Sequence, residues 1–375
     1  SYWGNPGGQG TLAAWPMLRY DARGQSYTPL TGPEVPKKLW EYSGTAPGTA
    51  TLPPSPVVSN NGEVVVAHGS YVDVLREGTL FDRLDLDAAA FGTPAIAADG
   101  TIYALDAAGH LYAFPYSQYK FWLTPYRCRR WTTNLGSAPT TSPAIGSDGF
   151  IAVGVSDRVL LLRPDGRQVE QFVILAQPQG ALAVDTQRAI YVAATDDYIG
   201  TVDFFCPTAP LCPSGRHLFY TLSTPPLLAY GSVYVGQSNG YVRKLTKGYL
   251  IDQATFGADS RITAGPIAGP AGQILVGTQN GTLYSLTKDL GLRWQRNIGA
   301  PVEGVPAFSA DALYVVSGDR LRAYNPYSGA PLWSRSLGSG AGNGSVAVGY
   351  GREVYVQTAN GRVQAFGEGW TTQPM

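Results

Sequence analysis

Ser142-Pro143-Ala144-Ile145, then Asp148-Gly149-Phe150-Ile151-Ala152-Val153, then Arg158-Val159-Leu160-Leu161-Leu162, is the stretch whose reading decides the fold. A small residue and a proline lead into a short apolar segment. An Asp-Gly turn, an apolar strand, another turn and a further apolar strand follow. The unit recurs along the whole chain, with its anchor position at Pro56, Pro94, Pro143, Leu182, Pro225, Pro266, Pro306 and Val346. Successive anchors lie 38, 49, 39, 43, 41, 40 and 40 residues apart. A period near forty built only of strands and turns is that of a β-propeller, because one small sheet cannot bury both of its own faces and must stack. The expectation is an all-β fold: an eight-bladed propeller of four-stranded antiparallel blades.

Within each copy the second strand is a short apolar run, such as Ser232-Val233-Tyr234-Val235 or Ala312-Leu313-Tyr314-Val315. Such runs between glycine-containing turns suit strands covered on both faces. Asn239-Gly240, Asn280-Gly281 and Asn360-Gly361 follow three of them, and the expectation there is a type I′ hairpin, whose two central residues need positive φ. Outer strands close on a glycine followed by tryptophan, as in Gly291 to Trp294 and Gly329 to Trp333. The eighth copy has no such strand after Phe366, whereas Lys38-Leu39-Trp40-Glu41-Tyr42 precedes the first copy without a sheet of its own. The inference is that residues 37–42 complete the last blade, which removes two open edges. The resulting division is an ordered arm over residues 1–36, a propeller over 37–370 and a tail over 371–375.

Composition narrows the function. The chain has 375 residues with 27 basic and 27 acidic side chains, so no basic footprint for nucleic acid is present. Charged residues are 14% of the chain, against 46 glycines and 28 prolines, which is the signature of many tight turns. No stretch of eighteen apolar residues suggests a membrane span. The sequence opens on Ser1, and the reading made of this is a targeting segment already removed and an exported protein, in periplasm, at the cell surface or outside it. Cys206 and Cys212, with five residues between them in a loop with two prolines, are a disulfide candidate that suits an oxidising compartment, with two free thiols as the alternative. Cys128, beside Arg127, Arg129 and Arg130, is left over.

Chemistry-bearing motifs are scarce. His68, His110 and His217 fall in different copies at unrelated positions, without the paired spacing a metal site needs. The glycine run from Gly338 to Gly344 lacks the lysine and helix of a phosphate loop. Asp99, Asp148 and Asp311 read as turn residues. Asn280 and Asn343 match glycosylation acceptors, though the hairpin turn accounts for the first. No catalytic, cofactor or metal residue is assigned. What remains is surface. Tyr116, Tyr119, Phe121, Trp122, Tyr126, Arg127, Arg129 and Arg130 have the composition of a contact patch, or of aromatics folded back over the rim. The arm is a second candidate, reaching a neighbouring molecule or lining its own ring.

The repeat Ser-Pro-Ala-Ile, Asp-Gly, Ile-Tyr, Asn-Gly-x-Leu-Tyr-x-Leu, Gly-x-x-Trp resembles that of the PQQ-like β-propellers, and Trp15-Pro16-Met17-Leu18-Arg19-Tyr20-Asp21 is similar to a lead-in segment of that family. The resemblance spans about residues 15–370 and implies two possibilities. One branch holds pyrroloquinoline quinone and Ca²⁺ in the central funnel and oxidises alcohols or sugars. Many of its members carry an adjacent cysteine pair that this sequence lacks. The other branch, which includes the propeller lipoprotein of the barrel-assembly machinery, binds proteins without a cofactor. This chain resembles the second in length and blade number and departs from it in lacking an N-terminal cysteine. The expected role is therefore a non-catalytic scaffold in an exported assembly, with other proteins or a second copy as partner. A quinoprotein-like oxidoreductase or a glycan binder using the funnel is the alternative.

Overall fold

The computed structural model describes residues 17–45, 54–115, 129–174, 176–178, 180–195, 200–205, 216–218, 221–339 and 341–369. Eight sheets are arranged as eight propeller blades. Blades 1 to 7 occupy residues 57–85, 90–134, 144–173, 177–218, 227–257, 262–297 and 307–336. In each, the chain runs from the innermost strand outward, and every pairing is antiparallel. Blade 8 takes its three inner strands from residues 344–367 and its outer strand, Lys37–Ser43, from the other end of the chain. Trp40 lies opposite Ala365 and Tyr42 opposite Val363. The orphan segment before the first copy thus closes the ring, as its sequence suggested.

The second strands are buried from end to end, Ile151–Val155 and Leu313–Ser317 among them, because each faces a blade on either side. Five carry a tyrosine at the same register, Tyr103, Tyr191, Tyr234, Tyr314 and Tyr355, all nearly inaccessible. The hydroxyls reach out of the apolar layer. Tyr234 donates to Lys288 O (2.6 Å) and Tyr191 accepts from Gly248 N (3.3 Å), each in the next blade. Burial is the chief cause of the raised pKa of these phenols, so they stay neutral.

Outer-strand tryptophans supply a second link. Trp131 donates from Nε1 to Pro164 O and Trp294 to Pro326 O, both at 3.0 Å and both in the next blade's turn between third and outer strands. The rings lie against a glycine of that turn. A Cβ on Gly166 would stand 2.7 Å from Trp131, and one on Gly329 2.6 Å from Trp294. Trp40 covers Gly78 of blade 1 in the same way, carrying the pattern across the seam.

The anchors line the axis. Hydroxyl residues beside them bond from blade to blade: Ser55 N donates to Thr93 Oγ1 (2.9 Å) and Thr93 N to Ser142 Oγ (3.0 Å). The prolines that follow bring no N–H that would need a partner there.

The Asn-Gly hairpins differ from expectation. Positive φ occurs at Gly240, Gly281 and Gly361 but at none of the asparagines before them. Each glycine N–H donates three residues back, to Gln237, Thr278 and Thr358 O. That is a type I turn closed by a left-handed bulge glycine. It adds one residue to the hairpin, so only glycine needs the left-handed region.

Candidate functional site

A propeller leaves the free edges of its innermost strands facing the central channel, a row of unpaired N–H and C=O groups. Here the chain fills that channel with its own arm. Going round the axis, Val184 N of blade 4 donates to Ala22 O (2.7 Å), Leu228 N of blade 5 to Arg23 O (2.9 Å), Ala268 N of blade 6 to Gln25 O (2.9 Å) and Phe308 N of blade 7 to Ser26 O (2.8 Å). Thr28 N returns a bond to Phe308 O (3.0 Å), and Ala310 N donates to Leu30 O (2.9 Å). Met17 and Leu18 are buried, Leu18 against Ala181 and Val305 just ahead of two inner strands. The arm then leaves the axis beneath blades 7 and 8. Gly32 N meets Asp311 Oδ1, and Trp333 Nε1 and Arg335 Nε donate to Pro33 O (3.0 Å) and Pro36 O (2.6 Å). It ends as the closing strand.

Two charges sit inside this plug. Arg19 is fully buried and donates to Pro226 O (2.9 Å) and to Pro266 O. Burial pushes its guanidinium down to about 10, opposed by Asp21, so it is still a cation at neutral pH. Burial raises the Asp21 carboxyl, while the Arg23 charge and the Gln25 and Arg23 N–H groups pull it back. Its Oδ1 accepts from Arg23 N (3.1 Å) and Gln25 N (3.0 Å), and its Oδ2 from Arg23 Nε (3.0 Å). Arg19, Tyr20 and Ser26 have φ of 60, 70 and 53°, a conformation costing roughly 1–2 kcal/mol for a residue with a side chain. The surrounding bonds hold the segment in it.

This settles how the axis suits a quinone with Ca²⁺. The carboxylate there is already saturated by its own turn, and the carbonyls that could face a cation hold a guanidinium. Among the described residues no three metal-ligating side chains converge. The residues present do not fit the group, and no chemistry is routed through it.

The arm candidate therefore lines its own ring over residues 17–36. Of the proposed contact patch, Tyr116, Tyr119, Phe121, Trp122, Tyr126 and Arg127 lie outside the described residues, as do Cys128, Cys206 and Cys212. Arg129 is engaged: it grips the Asp87 carboxylate through Nη1 (2.9 Å) and Nη2 (2.8 Å) and lies 4.7 Å over the Tyr112 ring. Arg130 is exposed. His110 and Tyr112 both bond Asp106 Oδ2 within blade 2. His68 joins the seam, where buried Asp73 accepts from His68 Nε2, from Tyr42 Oη (2.5 Å) and from Arg83 Nε (2.8 Å) and Nη2 (2.9 Å). Burial opposes ionisation of Asp73, but these donors outweigh it and hold the carboxyl down to about 2. Tyr42 belongs to the closing strand and Asp73 to blade 1, so the network latches the ring. Sequence reasoning missed Arg19, Asp21 and this latch. The one signal was the cluster of charges at Arg19, Asp21 and Arg23 inside an arm otherwise rich in glycine, proline and aromatics.

The architecture defines the class: an eight-bladed β-propeller whose axis is filled by its own chain. Residues 238–367 match the family model described as outer membrane protein assembly factor BamB. Curated protein sequences return no match. Among solved structures, BamB from Moraxella catarrhalis is 14% identical, covering 91% of this chain and 99% of that one, with a TM-score of 0.65. Quinohemoprotein alcohol dehydrogenase from Comamonas testosteroni is 13% identical, covering 96% and 82%, with a TM-score of 0.72. A europium-containing methanol dehydrogenase is 12% identical, covering 95% and 98%, with a TM-score of 0.70. Likeness at this identity is likeness of fold.

Proposed function

We propose that this protein is a non-catalytic scaffold that binds other proteins in an exported assembly, periplasmic or at the cell surface. One observation carries the reading: the axial channel, where a propeller has room for a small molecule, is taken up by residues 17–30. Binding then falls to the rim, the turns and the loops, which a rigid ring presents in fixed geometry. The match of residues 238–367 to the assembly-factor model points the same way. The loop bearing Tyr116, Tyr119, Phe121, Trp122, Tyr126 and Arg127, rooted by Arg129 on Asp87, is the contact region we favour, with exposed Arg130 at its edge. Cys206 and Cys212 pairing would accord with export.

The test places a photo-crosslinking side chain at position 130 in the native source and a control at exposed Lys288 on blade 6. The expected result is a discrete protein adduct at 130 and none at 288. The rival reading is tested by incubating the full chain with pyrroloquinoline quinone and Ca²⁺ and looking for a bound chromophore after desalting. A stoichiometric chromophore together with no adduct would overturn the scaffold reading.

A further inference from the structure

A cavity of about 1000 Å³ opens at the ring seam, between blade 8 and blade 1. It lies on the face that carries the turns between first and second strands and between third and outer strands. Its rings are Trp40 of the closing strand, Tyr350 of a blade 8 turn and, nearly inaccessible, Tyr355. Its cations are already committed. Arg76 bonds Glu63 (3.1 and 2.6 Å) and lies 3.4 Å over Phe81. Arg352 bonds Glu34 (2.9 Å) and Gly32 O (3.1 Å). The carboxylates of the blade 8 wall are held too, Glu353 by the Tyr355 hydroxyl and Glu368 by Glu34 N (2.7 Å).

Two polar side chains are left over. Among the described residues, neither the exposed Glu77 carboxylate nor the Asn60 amide makes a side-chain hydrogen bond, and both line the cavity from blade 1. Tyr350 is 46% exposed on the opposite wall. Trp40 is held in place by Gly78 beneath it and by Tyr355, whose ring centre is 5.8 Å away. The pocket therefore offers two aromatic rings, a free carboxylate and a free amide. The lining sets two arginines against the carboxylates of Glu77, Glu353 and Glu368, so the pocket is net acidic and repels anionic ligands. An amide that can donate and accept, beside an acceptor-only carboxylate, matches hydroxyl groups. Aromatic rings match the C–H faces of pyranoses, and the volume is at the upper end for ligand pockets, larger than one sugar requires.

We propose that the seam pocket binds a neutral oligosaccharide, with Tyr350 and Trp40 as stacking platforms and Glu77 and Asn60 as the hydroxyl readers. Such a ligand touches blade 8 and blade 1 together, so it favours the closed ring, and the thermal midpoint rises with its concentration. The inference is independent of the scaffold reading.

The experiment screens the full chain on an array of neutral and acidic glycans and a set of charged peptides, then titrates the hits by calorimetry. The expected result is saturable binding of a neutral oligosaccharide. Tyr350→Ala weakens it about tenfold, and Glu77→Gln weakens it measurably without moving the thermal midpoint of the unliganded protein. No saturable neutral glycan, affinity untouched by both variants, or preference for acidic glycans or charged peptides would each overturn the proposal.

Discussion

Replacing Gly329 by alanine asks whether the tryptophan contacts between blades hold the ring by shape. The new Cβ would stand 2.6 Å from Trp294 Cε3 and 2.8 Å from its Cδ2. The indole cannot slide away freely, because it is 9% exposed and Nε1 is tied to Pro326 O at 3.0 Å. Two costs follow. Alanine at φ +69° loses roughly 1–2 kcal/mol relative to glycine. Overpacking against a pinned ring adds roughly 1–3 kcal/mol. Gly231 separates them: its φ is +75° and nothing lies within 4 Å of its Cβ position, so Gly231→Ala carries the first cost alone. Urea unfolding followed by tryptophan fluorescence and far-ultraviolet circular dichroism gives both midpoints. The expected outcome is that Gly329→Ala is the less stable by about 1–3 kcal/mol. Equal losses, within about 0.5 kcal/mol, would refute the argument that ring and turn are fitted to each other.

Arg19→Met keeps the side-chain length and leaves the Pro226 and Pro266 carbonyls without their donor. It should cost about 2–4 kcal/mol in urea and speed protease cleavage in the arm; an unchanged digestion rate would count against the plug. Asp73 has its pKa lowered in the fold to about 2, from an ordinary value of 3.8. Its contribution is therefore full above pH 4 and lost as pH falls towards 2. The gap in urea midpoint between wild type and Asp73→Asn should narrow over that window by on the order of 1–2 kcal/mol, and a gap independent of pH would exclude the latch. Trp333→Phe removes the bond to Pro33 O. It should cost about 1–2 kcal/mol and raise hydrogen exchange in the closing strand before any other strand.

Blade number and phase were readable because they rest on side chains. The apolar second strands, the anchor prolines and the outer tryptophans each repeat, and Lys38 to Tyr42 stood out as a strand without a sheet. Blades 4 and 8 could be placed although Leu182 and Val346 replace the proline, since their neighbours fix the spacing. The plug was readable only as one of two fates of the arm, without its contacts. Its bonds to blades 4 to 7 run from main chain to main chain, which any residue from 22 to 30 could make. Only the charges at Arg19, Asp21 and Arg23 mark it, and a charge buried among carbonyls looks in sequence like a charge in a loop. The latch and the seam pocket were hidden for another reason. Tyr42 meets Asp73, and Trp40 comes to line one cavity with Glu77 and Asn60, only once the ring has closed in one register. The hairpins show the limit of turn rules: Asn-Gly fits both a type I′ turn and a type I turn with a bulge, and the added residue decides between them.

One continuous segment meets both kinds of open edge in this ring, the inner edges of blades 4 to 7 and the outer edge of the last blade. That bears on the two readings of function. For a quinone-sized cofactor to occupy the axis, residues 17–30 must leave it. The main-chain bonds to blades 4, 5, 6 and 7 contribute about 1 kcal/mol each, and burial of Met17 and Leu18 about 2 kcal/mol each. With six such bonds, displacement costs about 10 kcal/mol before the buried Arg19 is counted, more than the whole binding free energy of a micromolar ligand, about 8 kcal/mol. Relief of the strained φ angles at Arg19, Tyr20 and Ser26 returns only part of that. A cofactor would need intrinsic affinity well beyond micromolar merely to hold the arm out, and by then the closing strand would hang from a displaced tether. A partner docking on the rim meets no such cost, since the plug that blocks the axis also stiffens the ring that presents the surface.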